Sequence, residues 1–484
     1  MNQNEMANTV AKLIFIPDPG VGHIMSTIEV AKLLVNRDHR LSITILIIKP
    51  PTSDFGSAIT THIESLVKKT MDRISFIELP QDDTLPVWDS KAPFTFYEEF
   101  IKSHCKYVRH IVADMISQPG SCRVSGFVID MFCTSMMDVA NEFNIPTYVF
   151  FTSNAAFLGF YLYVQRLVND QNQDVVELSH SDTEIAIQGF VTPVPTKVFW
   201  PIVRTKEGLE YVLSSALKLG QAKAIMVNSF LELETHAFKS LSDDISIPSV
   251  YPVGPILNLE GGDDDIITWL DSQPPSSVVF LCFGSKGCFD EIQVKEIAHA
   301  LEQSGHRFLW SLRRPPSDQT SKVPGEYEDP RVVLPEGFLE RTVGIGKVIG
   351  WAPQVTVLAH RAVGGFVSHC GWNSLLESLW FGVPTATWPI YAEQHMNAFE
   401  MVAELGLAVE ITLDYENDLC NAKADKFVVP AQVIESSIRK VMEDNELRAK
   451  VKEMCEKSRA AVVEGGSSYA SVGRLIQDFT GIIS

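Results

Sequence analysis

The chain has 484 residues, a formal net charge of −20 and an apolar fraction of 45%. That length exceeds a single ordinary hydrophobic core and predicts two domains, and the composition is typical of a globular protein. Because the charge is strongly negative, broad binding to nucleic acid or acidic membranes is disfavoured. Backbone N–H groups at a helix start can still bind one phosphate group in such a protein.

Sequence features that would anchor, export or cross-link the protein are not found. No run of about 18 apolar residues predicts a membrane span. The polar start, Met1–Glu5, lacks the basic and apolar regions of a secretion signal, so we expect a cytoplasmic protein. The eight cysteines show no CxxC pair or metal-ligand spacing, so we expect reduced thiols and no structural metal.

Short apolar runs rich in β-branched residues recur along the chain, and helix-length segments separate several of them. We predict strands at 12–16, 41–48, 125–129, 147–151, 225–228, 277–283, 307–311, 348–351, 365–368 and 384–388. Continuous apolar strands followed by helices favour parallel sheets that are covered on both faces. The pattern therefore predicts an α/β fold with two doubly wound, Rossmann-like domains.

Two prolines and a glycine at 251–255 interrupt the periodicity and predict a domain boundary. An acidic, glycine-rich stretch at 260–265 reads as a linker that caps a helix at 266–270. The charged, proline-rich stretch 314–330 is typical of a surface loop. We divide the chain into an N-terminal domain at 1–250, a linker at 251–265, a C-terminal domain at 266–467 and a last helix at 468–484.

The first predicted strand is followed by the turn Pro17-Asp18-Pro19-Gly20-Val21-Gly22-His23. Glycines in such a turn bring the backbone close to a ligand at the strand end. Met25 stands where a dinucleotide fingerprint has its third glycine, and no acidic residue ends the second strand. A nicotinamide oxidoreductase is therefore disfavoured. His23 is either a structural or capping histidine or a proton acceptor at the mouth of a cleft.

Asp130 ends another apolar strand and is either a helix N-cap or a partner of His23. In a parallel sheet this strand end opens at the same edge as His23. A carboxylate on one imidazole nitrogen fixes the tautomer and raises the basicity of the other nitrogen. Because no GxSxG nucleophile motif is present, the pair favours a general base that acts on the substrate itself. Thr152 and Ser285 also follow strands and offer hydroxyl groups.

The most informative stretch runs from Trp351 to Gln394. It begins Trp351-Ala352-Pro353-Gln354, contains His369-Cys370-Gly371-Trp372-Asn373-Ser374, and ends Tyr391-Ala392-Glu393-Gln394. An aromatic face, hydrogen-bond donors, carboxylates and amides suit the base, the phosphates and the sugar hydroxyls of a sugar nucleotide. The stretch therefore predicts a sugar-nucleotide site.

This stretch resembles the signature of the plant family 1 UDP-glycosyltransferases. The resemblance extends along the chain through Pro17–His23, Asp130, 283–285 and 464–468. It implies the GT-B architecture, in which two facing Rossmann-like domains form an interdomain cleft. The acceptor would bind mainly to the N-terminal domain and the UDP-sugar mainly to the C-terminal domain. The last helix would cross back to the N-terminal domain.

The resemblance also implies the roles of individual residues. His23 is the general base and Asp130 its charge partner. Uracil would stack on Trp351 beside the backbone of Ala352, and the ribose would lie near Gln354 and Glu377. The remaining implied contacts to the diphosphate and the sugar come from Ser285, His369, Gly371, Asn373, Ser374, Thr152, Trp372, Tyr391, Glu393 and Gln394. Glutamine at 394 favours glucose as the transferred sugar.

The implied activity is the inverting, metal-independent transfer of glucose from UDP-glucose to a hydroxyl of a flavonoid, another phenolic or a terpenoid alcohol. No cofactor is implied, and the expected partners are the UDP-sugar and a small acceptor, bound by a monomer. Besides His23, candidates for an apolar acceptor pocket are Phe94, Phe96, Phe132, Phe151 and Phe199, although some of these equally suit a core. A UDP-sugar-binding protein without catalysis is the alternative, and it would not require both His23 and Asp130.

Overall fold

A computed structural model describes residues 10–49, 72–81, 92–117, 123–259, 265–316, 324–415 and 427–481. The chain divides into two compact units. The first unit comprises the described residues of Met1–Leu178, Ile202–Leu257 and Ala460–Ser484. The second unit comprises those of Ser179–Pro201 and Asn258–Arg459.

Strands β1–β15 are numbered in chain order over the described residues. They are β1 Ala11–Ile16, β2 Leu41–Ile47, β3 Ile74–Glu78, β4 Arg123–Asp130, β5 Thr147–Phe151, β6 Glu184–Ile185, β7 Val194–Pro195, β8 Ala224–Val227, β9 Ser249–Pro252, β10 Val278–Cys282, β11 Arg307–Ser311, β12 Gly346–Ile349, β13 Val363–Ser368, β14 Thr385–Thr387 and β15 Ala408–Glu410.

Helices α1–α17 are likewise numbered in chain order over the described residues. They are α1 Val21–Arg37, α2 Pro93–Ser103, α3 Cys105–Ser117, α4 Met136–Glu142, α5 Ala155–Asn169, α6 Val175–Ser179, α7 Lys206–Leu219, α8 Thr235–Ser242, α9 Asp265–Asp271, α10 Glu291–Ser304, α11 Phe338–Thr342, α12 Gln354–Leu358, α13 Trp372–Phe381, α14 Gln394–Phe399, α15 Ala431–Glu443, α16 Asn445–Ala461 and α17 Ser467–Thr480. A π-helical turn, Glu400–Glu404, continues α14.

Each unit is built on a parallel sheet. Among the described residues, the first sheet has the strand order β3-β2-β1-β4-β5-β8-β9, and the second has the order β12-β11-β10-β13-β14-β15. The predicted α/β fold with two Rossmann-like domains is therefore confirmed. In both sheets the strand order reverses once, between β1 and β4 and between β10 and β13. Such a reversal opens a crevice at the carboxyl ends of the two strands, where ligands bind in this class of sheet.

The central strands are apolar because both faces of each sheet are covered. Residues 13–16 of β1 and 278–281 of β10 have no exposed surface. The last helix, α17, packs on the first sheet through Leu475, Ile476 and Phe479. The Tyr148 hydroxyl donates to Asp478 at 2.9 Å, which fixes the end of this helix on β5.

The segment Ser179–Pro201 belongs by its contacts to the second unit, although the sequence division placed it in residues 1–250. The Glu404 carboxylate accepts the backbone N–H of Val191 at 3.1 Å and that of Thr192. The Phe190 ring packs against Phe399 at 6.0 Å between centroids. These partners lie more than 200 residues away in sequence, so no local pattern indicated the docking.

The predicted strands all occur, and their bounds differ by a few residues at most. The sequence missed the short hairpin β6–β7 and the edge strands β3, β9 and β15. Tyr251 and Pro252, which we had assigned to the linker, form the end of β9. Proline is tolerated at this position because β9 is an edge strand and needs fewer backbone N–H bonds. Residues 260–264 of the predicted linker lie outside the described residues.

Candidate active site

The reversal point of the first sheet brings together side chains that follow three neighbouring strands. Ile16, the last residue of β1, pairs with Ile129 in β4, and Asp130 is the next residue of β4. Asp130 pairs in turn with Phe150 of β5, and Thr152 follows that strand. Helix α1 begins at Val21 after Gly20, which places His23 in its first turn. The carboxyl ends of β1, β4 and β5 thus position an imidazole, a carboxylate and a hydroxyl.

His23 and Asp130 form a hydrogen-bonded pair. Nδ1 of His23 lies 2.8 Å from Oδ2 of Asp130 and 2.9 Å from the Thr152 hydroxyl oxygen. The Asp130 side chain is fully buried, whereas the His23 side chain is 28% exposed. The second carboxylate oxygen accepts the backbone N–H of Phe132 at 3.0 Å. When Nδ1 carries the proton that Asp130 accepts, the lone pair of the neutral imidazole is on Nε2.

Aromatic rings surround part of this pair. The Phe132 ring lies 5.5 Å from the His23 ring, and the Tyr97 ring meets Phe132 edge-on at 6.5 Å. Phe94 is half-buried and lies 6.0 Å from the ring of Tyr211. These half-buried rings suit a surface that receives an apolar ligand.

Three of the five phenylalanines suggested for the acceptor pocket are buried instead. Phe151 has no exposed surface and packs against Phe157 and Tyr161. Phe199 is also fully buried, and it belongs to the second unit. Phe96 is buried as well. An apolar residue in a buried strand gives the same sequence signal whichever side it faces, so sequence alone did not separate core from pocket.

The reversal point of the second sheet is built around His369. Cys282, the end of β10, pairs with Ser368, the end of β13, and His369 follows directly. Gly284 has a φ of +69°, and a Cβ there would lie 2.5 Å from Nε2 of His369. A Cβ at Gly371 would lie 2.6 Å from the same nitrogen. Glycine is therefore required on both sides of the ring, because only bare backbone can approach it this closely.

Burial determines the charge of His369. It lowers the pKa of the imidazole to about 4, so the ring is neutral at neutral pH. Nδ1 is buried, and no hydrogen-bond partner for it occurs among the described residues. Helix α13 begins two residues beyond Cys370, with Gly371 at its N-cap, and its first N–H groups belong to Trp372, Asn373 and Ser374. A neutral donor beside a helix start is suited to bind an anion such as a phosphate group.

The other predicted nucleotide contacts adjoin this helix. Nε2 of Gln354 donates to the Ser374 hydroxyl at 2.8 Å and to a carboxylate oxygen of Glu377 at 2.7 Å. Burial raises the pKa of Glu377 to about 7. Trp351 is 58% exposed, whereas Ala352 is buried. The second unit thus presents an exposed indole and, on α13, a carboxylate whose charge is destabilised by burial.

The end of the signature forms a turn that is tied to the His369 loop. The amide oxygen of Gln394 accepts the backbone N–H groups of Ile390 and Tyr391, each at 3.0 Å. Nδ2 of Asn397 donates to the Cys370 carbonyl at 3.0 Å and to Glu393 at 3.4 Å. Trp372 is buried and Ser285 is exposed. Thr152, which we had grouped with the sugar contacts, lies in the first unit beside His23.

Arg313 and Glu326 adjoin Trp351, and no sequence pattern indicated either residue. The Arg313 guanidinium lies 5.1 Å from the centroid of the indole ring. Its Nε also donates to the Gly325 carbonyl at 3.1 Å. Glu326 accepts the backbone N–H of Trp351 at 3.0 Å. Glu326 belongs to a stretch that reads as a surface loop, and no local motif links either residue to a tryptophan so far along the chain.

Within the described residues, no three His, Cys, Asp or Glu side chains are grouped so that they could hold a metal ion. None of the helices described here is long and apolar enough to cross a membrane.

Comparisons with known proteins give a family model that matches part of the chain, and relatives and solved structures that cover nearly all of it. A family model described as "UDP-glucoronosyl and UDP-glucosyl transferase" matches residues 263–434. The chain is 52% identical to UDP-glucose flavonoid 3-O-glucosyltransferase 6 of Fragaria ananassa, over 96% of this chain and 98% of that protein.

Solved structures show the same similarity. UGT71G1 of Medicago truncatula, complexed with UDP-glucose, is 41% identical with a TM-score of 0.85, over 99% of this chain and all of that one. A transferase from Siraitia grosvenorii in complex with UDP is 45% identical with a TM-score of 0.84, over 97% of this chain and 99% of that one.

Proposed function

This chain belongs to the UDP-glycosyltransferase family, and we propose that it transfers glucose from UDP-glucose to a hydroxyl of a small lipophilic acceptor with inversion. The observation that carries the proposal is the 2.8 Å pair of His23 and Asp130 at the reversal point of the first sheet. A protein that only held UDP-glucose would need the second reversal point but not this pair.

In the proposed reaction, Nε2 of His23 accepts the proton of the acceptor hydroxyl. The oxygen attacks the anomeric carbon from the side opposite UDP, so a carbon–oxygen bond forms as the bond to the diphosphate oxygen breaks. UDP leaves with the bonding electron pair, and the product is a β-glucoside. Asp130 holds the tautomer and stabilises the imidazolium that forms, since it lies 2.8 Å from Nδ1.

The developing charge on the diphosphate would be stabilised by the donors at the second reversal point. These are the neutral imidazole of His369, the hydroxyls of Ser374 and Ser285, and the N–H groups at the start of α13. Donors that are fixed before the reaction act strongly because they need not reorganise as charge develops. The orphaned Nδ1 of His369 supports this assignment, because a buried polar atom without a partner is costly unless a ligand pairs with it.

The rest of the donor would be bound by the Trp351–Gln394 region. Uracil would stack on the exposed indole of Trp351, the ribose would bond to Glu377, and glucose would lie near Glu393 and Gln394. The Medicago truncatula relative is complexed with UDP-glucose, which supports glucose as the transferred sugar. The Fragaria ananassa relative is named for a flavonoid, which supports a flat phenolic acceptor beside Phe94 and Phe132. Apolar contacts would discriminate between close analogues by only about 1–3 kcal/mol.

The test is an acceptor screen with UDP-glucose, in which mass spectrometry detects products that gain one hexose. We expect β-glucosides of flavonoids, other phenolics or terpenoid alcohols. Binding of UDP-glucose is measured in parallel by calorimetry. A protein that binds UDP-glucose but transfers hexose to no alcohol would be a binding protein, and the proposal would fail.

A further inference from the structure

A second buried carboxylate, Asp18, lies in the turn between β1 and α1 and has no part in the reaction described above. It is 6% exposed. Oδ1 accepts the backbone N–H of Gly20 at 2.7 Å, and Oδ2 accepts the hydroxyl of Tyr97 from α2. Burying a carboxylate is costly, and here both of its oxygens are hydrogen-bonded. Asp18 thereby fastens α2 to the turn that carries His23.

Asp18 and His23 face the same small space. A Cβ built at Gly20 would lie 2.9 Å from Oδ1 of Asp18 and 3.4 Å from Cδ2 of the His23 ring. Gly20 has an ordinary φ of −71°, so glycine is needed here for room and not for conformation. Oδ1 of Asp18 and Cδ2 of His23, on the side of the ring away from Nδ1, thus border the space that a side chain at Gly20 would fill.

The surrounding groups show that both carboxylates act on one interior region. Cys133, in the turn after β4, is fully buried. Burial raises the pKa of its thiol well above the usual range, and Asp130 and Asp18 raise it further. Tyr211, on α7, has a pKa that burial raises, with a contribution from Asp18. Two hydroxyls also belong to this region: that of Tyr97, on α2, donates to Asp18, and that of Thr152, after β5, lies 2.9 Å from Nδ1 of His23.

We propose that Asp18 is a positioning residue for the general base: with Tyr97 it fixes the turn that carries His23, and its charge increases the basicity of the imidazole. The inference rests on the proposed role of His23. A negative charge several ångströms from an imidazole stabilises the imidazolium, and this attraction is stronger at a half-buried site than in bulk water. A stronger base accepts the acceptor proton more readily.

The test is the pH dependence of kcat/KM for the acceptor, measured at saturating UDP-glucose. The acid limb of this profile reports the ionisation of the general base in the enzyme that has bound UDP-glucose but not yet the acceptor. Asp18→Asn removes the charge, so the acid limb should move about 0.5–1 unit lower and the plateau should fall several-fold. Tyr97→Phe keeps the charge of Asp18 but removes the hydrogen bond that holds α2 to the turn before His23. The kcat should therefore fall several-fold, while the acid limb should not move to lower pH. Asp114→Asn, which removes an exposed charge of α3, should change neither.

Two outcomes overturn the inference. The first is a folded Asp18→Asn variant with an unmoved acid limb. The second is an effect confined to the acceptor KM, which would make Asp18 an acceptor-binding residue. If Asp18→Asn does not fold, unchanged kinetics of Tyr97→Phe at every pH would refute the positioning role. Retained transfer in His23→Ala would instead refute the proposed function, so the two failures are distinguishable.

Discussion

The two reversal points occupy equivalent positions in two similar sheets, yet their polar groups differ in how completely they are hydrogen-bonded. At the first, Asp130 receives hydrogen bonds from His23 and from the N–H of Phe132, so both of its carboxylate oxygens have partners before any ligand arrives. At the second, Nδ1 of His369 has no partner among the described residues, and Glu377 has a pKa raised to about 7. A pair that is hydrogen-bonded before a ligand arrives is suited to catalysis. Polar groups that lack hydrogen bonds are suited to binding a ligand that supplies the missing bonds.

The largest effect should come from replacing His23 at the first reversal point. His23→Ala should lower transfer to alcohols at least about 100-fold, because general-base catalysis contributes on the order of 10²–10⁴-fold. Binding of UDP-glucose should be unchanged, since His23 is not among the proposed contacts to the donor. Initial rates and calorimetry measure the two effects, and His39→Ala, at an exposed histidine of the same unit, is the control. Transfer within tenfold of the unmodified enzyme would remove His23 from its role.

A smaller loss should follow from removing one donor at the second reversal point. His369→Ala should raise the barrier by about 2–4 kcal/mol if the imidazole acts on the diphosphate as an oxyanion-hole donor does. His369→Asn keeps an N–H donor and should recover part of kcat. Single-turnover rates at saturating UDP-glucose separate this effect from binding. Equal rates for the alanine and asparagine variants would show that the hydrogen bond is not what matters.

The affinity for UDP-glucose should depend on pH through Glu377. Ribose hydroxyls that donate to the carboxylate lower its pKa in the complex, so binding is strongest above the free pKa of about 7 and weakens as the pH falls through it. The dissociation constant should rise by up to about tenfold per pH unit below that value. His369, with a pKa of about 4, stays mostly neutral between pH 5 and 8.

Calorimetric titrations of UDP-glucose between pH 5 and 8 measure this dependence. Glu377→Gln should bind weakly and show a flat profile. A profile in the unmodified protein that is equally flat would mean that the ribose does not bond to this carboxylate.

The smallest effect concerns Arg313, which stacks against the indole of Trp351. Arg313→Met should raise the KM for UDP-glucose by about two- to five-fold, in line with about 0.5–1 kcal/mol for a cation–π contact to an exposed ring, and leave kcat unchanged. Arg314→Met is the matched control at the neighbouring, exposed arginine. An equal change in both variants would indicate an effect of net charge rather than of stacking.

The sequence predicted those features that depend on local pattern. Buried strands such as β1 and β10 are recognisable because they are almost entirely apolar, and the residues that follow them, His23 and Ser285, were located for the same reason. The edge strands β3 and β15 were missed because β3 is half-exposed and β15 has only three residues. The ends of the predicted strands therefore located candidate site residues, although several strands of the two sheets were missed.

Contacts between distant segments could not be predicted. The roles of Asp18 and Arg313 depend on which side chains the fold places beside His23 and Trp351, and spacing along the chain does not encode this. The same limit applies to Phe151, whose apolar character fits a core and a pocket equally well. The local sequence thus indicated which residues lie at the strand ends. It did not indicate which side chains from elsewhere in the fold contact those residues.

The docking of Ser179–Pro201 on the second unit has a consequence for protein engineering. A chimera that joins the halves of two relatives at one junction near residue 257 would combine this segment with a foreign surface in place of Glu404 and Phe399. Junctions after Leu178, Pro201, Leu257 and Arg459 would instead keep each folded body with its native neighbours. Libraries recombined at those four positions should therefore yield more expressible hybrids than libraries divided at the midpoint of the chain.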